Sequence, residues 1–125
     1  MTRVRIGIQT GNFYSPDLGS GHSITNNTIE SFRLGIFHNL LYTNATFIIS
    51  NNVFTTVTGA PNNNGIELSS IGSAVGVTVT DNNVTGARNG YNLWNCTSTN
   101  TVTISGGVLT NCNTGVFANN YDGYT

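Results

Sequence analysis

The sequence contains no lysine, and its 125 residues carry only four basic and five acidic side chains, for a net charge of −1. The bases are Arg3, Arg5, Arg33 and Arg88. They are too few and too scattered to follow a phosphate backbone, so nucleic acid is not an expected partner. Long apolar runs are missing too. No stretch approaches the roughly 20 residues that a membrane-spanning helix needs, so membrane insertion is not expected. Met1-Thr-Arg-Val-Arg-Ile6 lacks the apolar core of a signal peptide. Cysteine is limited to Cys96 and Cys112, whose spacing fits neither a metal-binding pattern nor a redox pair. Both are expected to be free, small structural residues. Helical patterning is also absent: no window sustains an i, i+3, i+4 apolar stripe, and residues 30–41 come nearest to one.

Scarce charge is not disorder, which combines low hydrophobicity with high net charge. Here 38% of residues are apolar. Many are β-branched, and Gly, Asn and Thr are abundant, a composition suited to short strands with tight corners. One domain spanning residues 1–125 is expected.

What the sequence does contain is a repeat. Val77-Thr-Val-Thr-Asp-Asn-Asn-Val84 alternates apolar and polar residues, turns at a polar corner, and resumes with an apolar residue. The same phrase occurs as His22-Ser-Ile-Thr-Asn-Asn-Thr-Ile29, Phe47-Ile-Ile-Ser-Asn-Asn-Val-Phe54 and Val102-Thr-Ile-Ser-Gly-Gly-Val-Leu109. Aligned on Ile24, Ile49, Val79 and Ile104, the steps are 25, 30 and 25 residues. A second landmark follows each phrase: Gly35-Ile36, Gly65-Ile66, Gly90-Tyr91 and Gly115-Val116, with Gly7-Ile8 ahead of them. Two fixed blocks joined by variable loops are the mark of a solenoid.

Stacked in register, such units place like residues over like, about 4.8 Å apart. The predicted inward columns are Phe47/Val77/Val102, Ile24/Ile49/Val79/Ile104, Ile29/Phe54/Val84/Leu109 and Ile36/Ile66/Tyr91/Val116. Thr25/Ser50/Thr80/Ser105 form a predicted outward hydroxyl column. Asn27, Asn52, Asn82 and Gly107 form the corner, where Asn and Gly enter the left-handed region at low cost and where stacked amides can bond along the column. Asp81 replaces Asn26 and Asn51 and reads as a turn residue. The expected fold is therefore all-β: a solenoid of four to five stacked coils with three parallel sheets.

These elements, apolar-x-Ile-Thr/Ser-Asn-Asn-x-apolar followed by Gly-Ile-x-Leu, resemble the right-handed parallel β-helix repeat of the pectate-lyase-like superfamily over nearly the whole chain. That resemblance implies the fold and says little about activity, because enzymes, adhesins, tailspikes and surface-layer proteins share it. Members usually close their ends with a helix or loop, and no cap is recognisable here. The open ends imply a fragment of a longer chain, or coils that stack end to end with a partner.

The resemblance also implies where a ligand would lie. Substrates of enzymes in this superfamily run along the outer face of the Gly-Ile sheet, which here gives Gln9, Phe37, Glu67, Asn92 and Phe117, flanked by Arg33 and Arg88 on loops. Such a strip suits a polysaccharide: aromatics stack on rings, amides and carboxylate bond hydroxyls, and arginines meet acidic groups. The same residues also read as an ordinary polar exterior with two exposed phenylalanines. Glycosidases use two carboxylates about 5–10 Å apart, and Glu67 has no acidic neighbour in its column. Glu67 and Arg88 are weak catalytic candidates at most. His22 and His38 lie far apart and suit packing or surface roles, and no metal or cofactor is expected. Three functions stay open. One is a non-enzymatic, extracellular or cell-surface module acting as a stalk, adhesin or carbohydrate-binding segment. Another is a piece of a polysaccharide lyase or glycoside hydrolase. The third is an isolated structural domain with no ligand that assembles through its exposed ends.

Overall fold

The computed structural model describes residues 4–10, 22–30, 32–39, 46–56, 62–69, 76–94 and 101–119. Every regular element among them is a strand. A lone strand, β1 (Val4–Thr10), precedes four coils of three strands each. The first coil holds β2 (His22–Thr25), β3 (Thr28–Glu30) and β4 (Phe32–Asn39); the second holds β5 (Thr46–Ser50), β6 (Val53–Thr55) and β7 (Asn64–Ser69). The third holds β8 (Gly76–Thr80), β9 (Asn83–Thr85) and β10 (Asn89–Trp94); the fourth holds β11 (Thr101–Ser105), β12 (Val108–Thr110) and β13 (Thr114–Asn119). Each strand pairs in parallel with its counterpart one coil away. Sheet A has the order β1-β4-β7-β10-β13, sheet B β2-β5-β8-β11 and sheet C β3-β6-β9-β12. The protein is a parallel β-helix. Residues 30–41, the stretch closest to a helical pattern, contain β4.

The four apolar columns stack as the repeat predicts. Ile24, Ile49, Val79 and Ile104 pair through sheet B, as do Phe47, Val77 and Val102. Ile29, Phe54, Val84 and Leu109 pair through sheet C. Ile36, Ile66, Tyr91 and Val116 pair through sheet A. Through the third coil they form the interior together with Leu68, Ala87, Leu93 and Phe32, whose ring meets Phe54 edge-on at a centroid distance of 6.0 Å, while in the fourth coil Val102, Ile104 and Leu109 are partly buried and Val116 is exposed. His38 is part of this interior. It is fully buried, stacked on Phe47 with centroids 4.0 Å apart, and its Nδ1 lies 2.8 Å from Thr10 Oγ1. The hydroxyl column Thr25/Ser50/Thr80/Ser105 is also in register. It is not uniformly outward, however, because Ser50 is buried between its neighbours.

At the B–C corner, two jobs assigned to one residue fall to two. The left-handed conformation belongs to Asn26, Asn51 and Asp81, with φ of 58°, 55° and 54°, and to Gly106. Asn27, Asn52 and Asn82 follow them and are not left-handed; in their column only Gly107 is. The reason is geometric. Once the first residue has turned the chain, the second side chain points along the stack. There its amide reaches the next coil: Asn27 Nδ2 donates to Asn52 Oδ1 at 3.0 Å, and Asn52 Nδ2 donates to Asn82 Oδ1 at 2.9 Å. The same acceptors take the backbone N–H of Asn27 and of Asn52, each at 3.0 Å. Asn52 and Asn82 also donate to the carbonyls of Ile24 and Ile49. Asn52 and Asn82 are completely buried, and the network satisfies groups that would otherwise be costly.

The glycine landmark has a different cause. A Cβ on Gly65 would lie 2.6 Å from the Gly90 carbonyl oxygen and 2.7 Å from Val84 Cγ1. Gly7, Gly35 and Gly90 are equally crowded by the next coil's glycine carbonyl and by Ile29, Phe54 and Leu109 respectively. Sheet A can approach sheet C only where the side chain is missing. Gly115, in the last coil, has nothing nearer than 3.5 Å.

Two substitution contrasts test this packing. Asn52→Ala strands the Asn27 N–H, the Asn27 amide and the Ile24 carbonyl, and should cost about 2–4 kcal/mol in urea unfolding, more than Asn27→Ala at the end of the column. Gly65→Ala should destabilise by about 1–3 kcal/mol through overpacking, whereas Gly115→Ala should be close to neutral.

Candidate functional site

The strand alternation of sheet A turns one column outward for every column it buries. Gln9, Phe37, Glu67, Asn92 and Phe117 are consecutive Cα partners through β1, β4, β7, β10 and β13, so the predicted strip exists as one row. Its residues are not equally open. Gln9 is exposed, Phe37 and Glu67 are half-buried, Asn92 is 8% exposed, and Phe117 is 42% exposed.

Hydrogen bonds tie the middle of the row together. Glu67 Oε2 accepts from Asn92 Nδ2 at 2.9 Å and from Asn64 Nδ2 at 2.6 Å. Asn64 Oδ1 in turn accepts from Asn89 Nδ2 at 2.8 Å. Asn64 and Asn89 are Cα partners at the position just before the glycine column. A second, outward amide ladder thus runs beside the strip. Arg88, in the turn between β9 and β10, donates through one guanidinium nitrogen to Asn62 Oδ1 at 2.7 Å.

Across the second to fourth coils these side chains enclose an open depression of about 280 Å³, lined by Asn62, Asn64, Arg88, Asn89, Asn92, Trp94, Thr114 and Phe117. Of the residues expected from sequence, Asn92, Arg88 and Phe117 meet here. Glu67 stands behind them, bonded to two lining amides. Phe37 lies further along the row, toward β1, and outside the depression. Arg33 is not on a loop: it is an exposed residue inside β4, because Phe32 before it is drawn into the interior and starts the strand early. It lies in the row of Arg88 but two coils away, and does not line the depression. Asn62, Asn64, Asn89, Trp94 and Thr114 were not anticipated. Trp94 is two residues beyond Asn92 and so shares its face, and the recurring Asn-Gly pairs at 64–65 and 89–90 announce the outward ladder.

The carboxylates do not gather. Among the described residues Glu30 ends β3, Asp81 turns the B–C corner and Glu67 sits on the sheet A strip. No group of three or more His, Cys, Asp or Glu among them is placed to hold a metal ion. Two groups beside the site have shifted proton affinity. Burial raises the Tyr91 phenol above its usual value, helped by Cys112 and then Asp81, and its hydroxyl donates to the Asn82 carbonyl at 3.3 Å. Burial also raises the Cys112 thiol, against the smaller lowering effect of the Ala87 and Gly86 backbone. Cys112 is free, and its sulfur faces the Val84 and Thr110 carbonyls at 3.7 and 3.6 Å. Cys96 and the loop at 11–21 lie outside the described residues.

No protein-family model matches the chain, and neither a curated protein nor a solved structure matches it.

Tyr91 gives a pH test. Its folded pKa is higher than its unfolded value, so the stability it contributes is complete below about pH 10 and is lost as the pH rises through the folded value. Phenolate absorbance should show one late-titrating tyrosine that disappears in Tyr91→Phe. At neutral pH, Cys112 should alkylate more slowly than a small-molecule thiol, since little of it is thiolate.

Proposed function

We propose that this chain is a non-catalytic β-helix module that binds carbohydrate along the outer face of sheet A. The observation that carries the reading is the row Gln9, Phe37, Glu67, Asn92 and Phe117, one residue per coil on one sheet. Its rung spacing of about 4.8 Å is close to the length of one sugar residue in an extended glycan. The row offers two aromatic rings for sugar faces, with a carboxylate and an amide between them for hydroxyls. The likeness to pectate-lyase-like repeats supports the same face, and an extracellular or cell-surface setting goes with it. Glu67 suits a binding role better than an acid–base role: its Oε2 is occupied by two amides, and no second described carboxylate shares its face.

A second reading, end-to-end assembly, is favoured by the last coil. Tyr91 is 3% exposed, whereas Val116, its neighbour in the same column, is 48% exposed, and Val108 is 60% exposed. Residues 101–119 contain no charge and no proline, the usual protection of an open sheet edge.

A glycan array followed by a reducing-end assay tests the first reading. Binding without turnover, weakened by Phe37→Ala, is expected; absence of binding, or turnover abolished by Glu67→Ala, would overturn it. Light scattering against concentration tests the second: mass should rise with concentration and fall back with Val116→Lys, and a monomer at every concentration would refute it.

A further inference from the structure

Gly115 has no cause within one copy of the chain. Glycine in a strand interior weakens the strand, and it is found where the backbone turns left-handed or where another backbone comes close. Among the described residues the left-handed glycines are Gly86, Gly106 and Gly107, and Gly115 is not one of them. Nor is it crowded: a Cβ there would meet nothing nearer than Leu109 Cδ1 at 3.5 Å. In the four preceding strands of sheet A the equivalent glycine is kept bare by the carbonyl oxygen of the next one along the stack. Gly35 covers Gly7, Gly65 covers Gly35, Gly90 covers Gly65 and Gly115 covers Gly90. The space beside Gly115 therefore suits one more glycine-bearing strand, parallel to β13 and in the same register.

One strand of this protein meets that description and has a free edge. Sheet A runs from β1 to β13, so these two strands are its edges. β1 carries Gly7, Ile8 and Gln9, the counterparts of Gly115, Val116 and Phe117. Followed strand by strand, the registers put Ile8 in the column of Val116 and Gln9 in the row of Phe117. Sheet A also has five strands where sheets B and C have four, so β1 stands one rung beyond β2 and β3. The two edges suit each other chemically. Val116 is 48% exposed and Ile8 is half-buried, so pairing them covers apolar surface on both sides. In the same register Arg5 falls beside the uncharged Asn113, so no like charges meet. Last coil against last coil would run the strands antiparallel, and the carbonyl contact repeated at the four internal junctions would be lost.

From this we infer that a second copy docks head to tail, its β1 adding in parallel to β13 with Gly7 over Gly115 and Ile8 over Val116. The contact is heterologous: each copy offers a different edge to the next, so assembly runs on past a pair unless it closes into a ring. The outer row of sheet A continues through the junction, because Gln9 of the second copy follows Phe117. The inference rests on the end-to-end reading and adds to it the polarity and register of the contact.

Gln9 and Phe117 are exposed and test the junction without disturbing the interior. In a Cys96→Ser, Cys112→Ser background, Gln9→Cys and Phe117→Cys in one chain would meet across the junction on strands about 4.8 Å apart, within disulfide reach. Mild oxidation of the intact chain should give a ladder of covalent dimers, trimers and longer species on a non-reducing gel. The ladder should be absent from either single-cysteine variant. It should also be lost on adding Gly115→Ala, which has room within one copy but not beneath another strand. Covalent dimers from Phe117→Cys alone would show last coils facing each other and overturn the polarity, while end-to-end assembly survives. A ladder indifferent to Gly115→Ala, or a mass that rises with concentration in light scattering without any ladder, would overturn the register and leave assembly standing. A monomer at every concentration with no ladder would overturn both.

Discussion

Register between successive coils is the constraint on which everything else depends, and the buried amide column enforces it. A strand pair alone tolerates slippage, and a shift by one residue would turn every apolar side chain to solvent. Asn27, Asn52 and Asn82 prevent that shift because each amide fits only the one above it. The accepting oxygen in each case also takes a backbone N–H, so moving the column breaks main-chain and side-chain bonds together. Tyr91 extends this control to the third sheet through its bond to the Asn82 carbonyl.

The outer strip inherits its order from that column. Glu67, Asn92 and Phe117 stand in line only because Ile66, Tyr91 and Val116 do so beneath them. The glycine column contributes shape as well. Removing the side chain at Gly65 and Gly90 lets Val84 and Leu109 press against the backbone of sheet A. The residues on either side, Asn64 and Asn89 before and Glu67 and Asn92 after, then meet on the outer surface.

Much of this was legible from spacing alone. The repeat offset of 25 or 30 residues fixed all four apolar columns, the strip and the second residue of each Asn-Asn pair as the ladder. What escaped was decided by geometry that residue type does not encode. Two adjacent asparagines look alike, yet one adopts the left-handed turn and the other the ladder, and only Asp81 in the third coil separates the roles in sequence. Arg33 reads as a loop residue until Phe32 is seen to occupy the interior. The depression was missed because it draws on three kinds of outward position, not one: the residue before the glycine, the strip residue and the residue two beyond it. Asn89, Asn92 and Trp94 illustrate all three on β10.

The connection from β6 to β7 is longer than its counterpart from β9 to β10, yet β7 and β10 pair without a break. Length is therefore decoupled between frame and surface: each 25-residue cassette advances the axis by about 4.8 Å whatever hangs from its corners. Duplicating one cassette would lengthen the molecule by one step and add one more position to each exterior row. Lineages of such a protein can tune reach by copy number and tune decoration by loop exchange, as two independent dials.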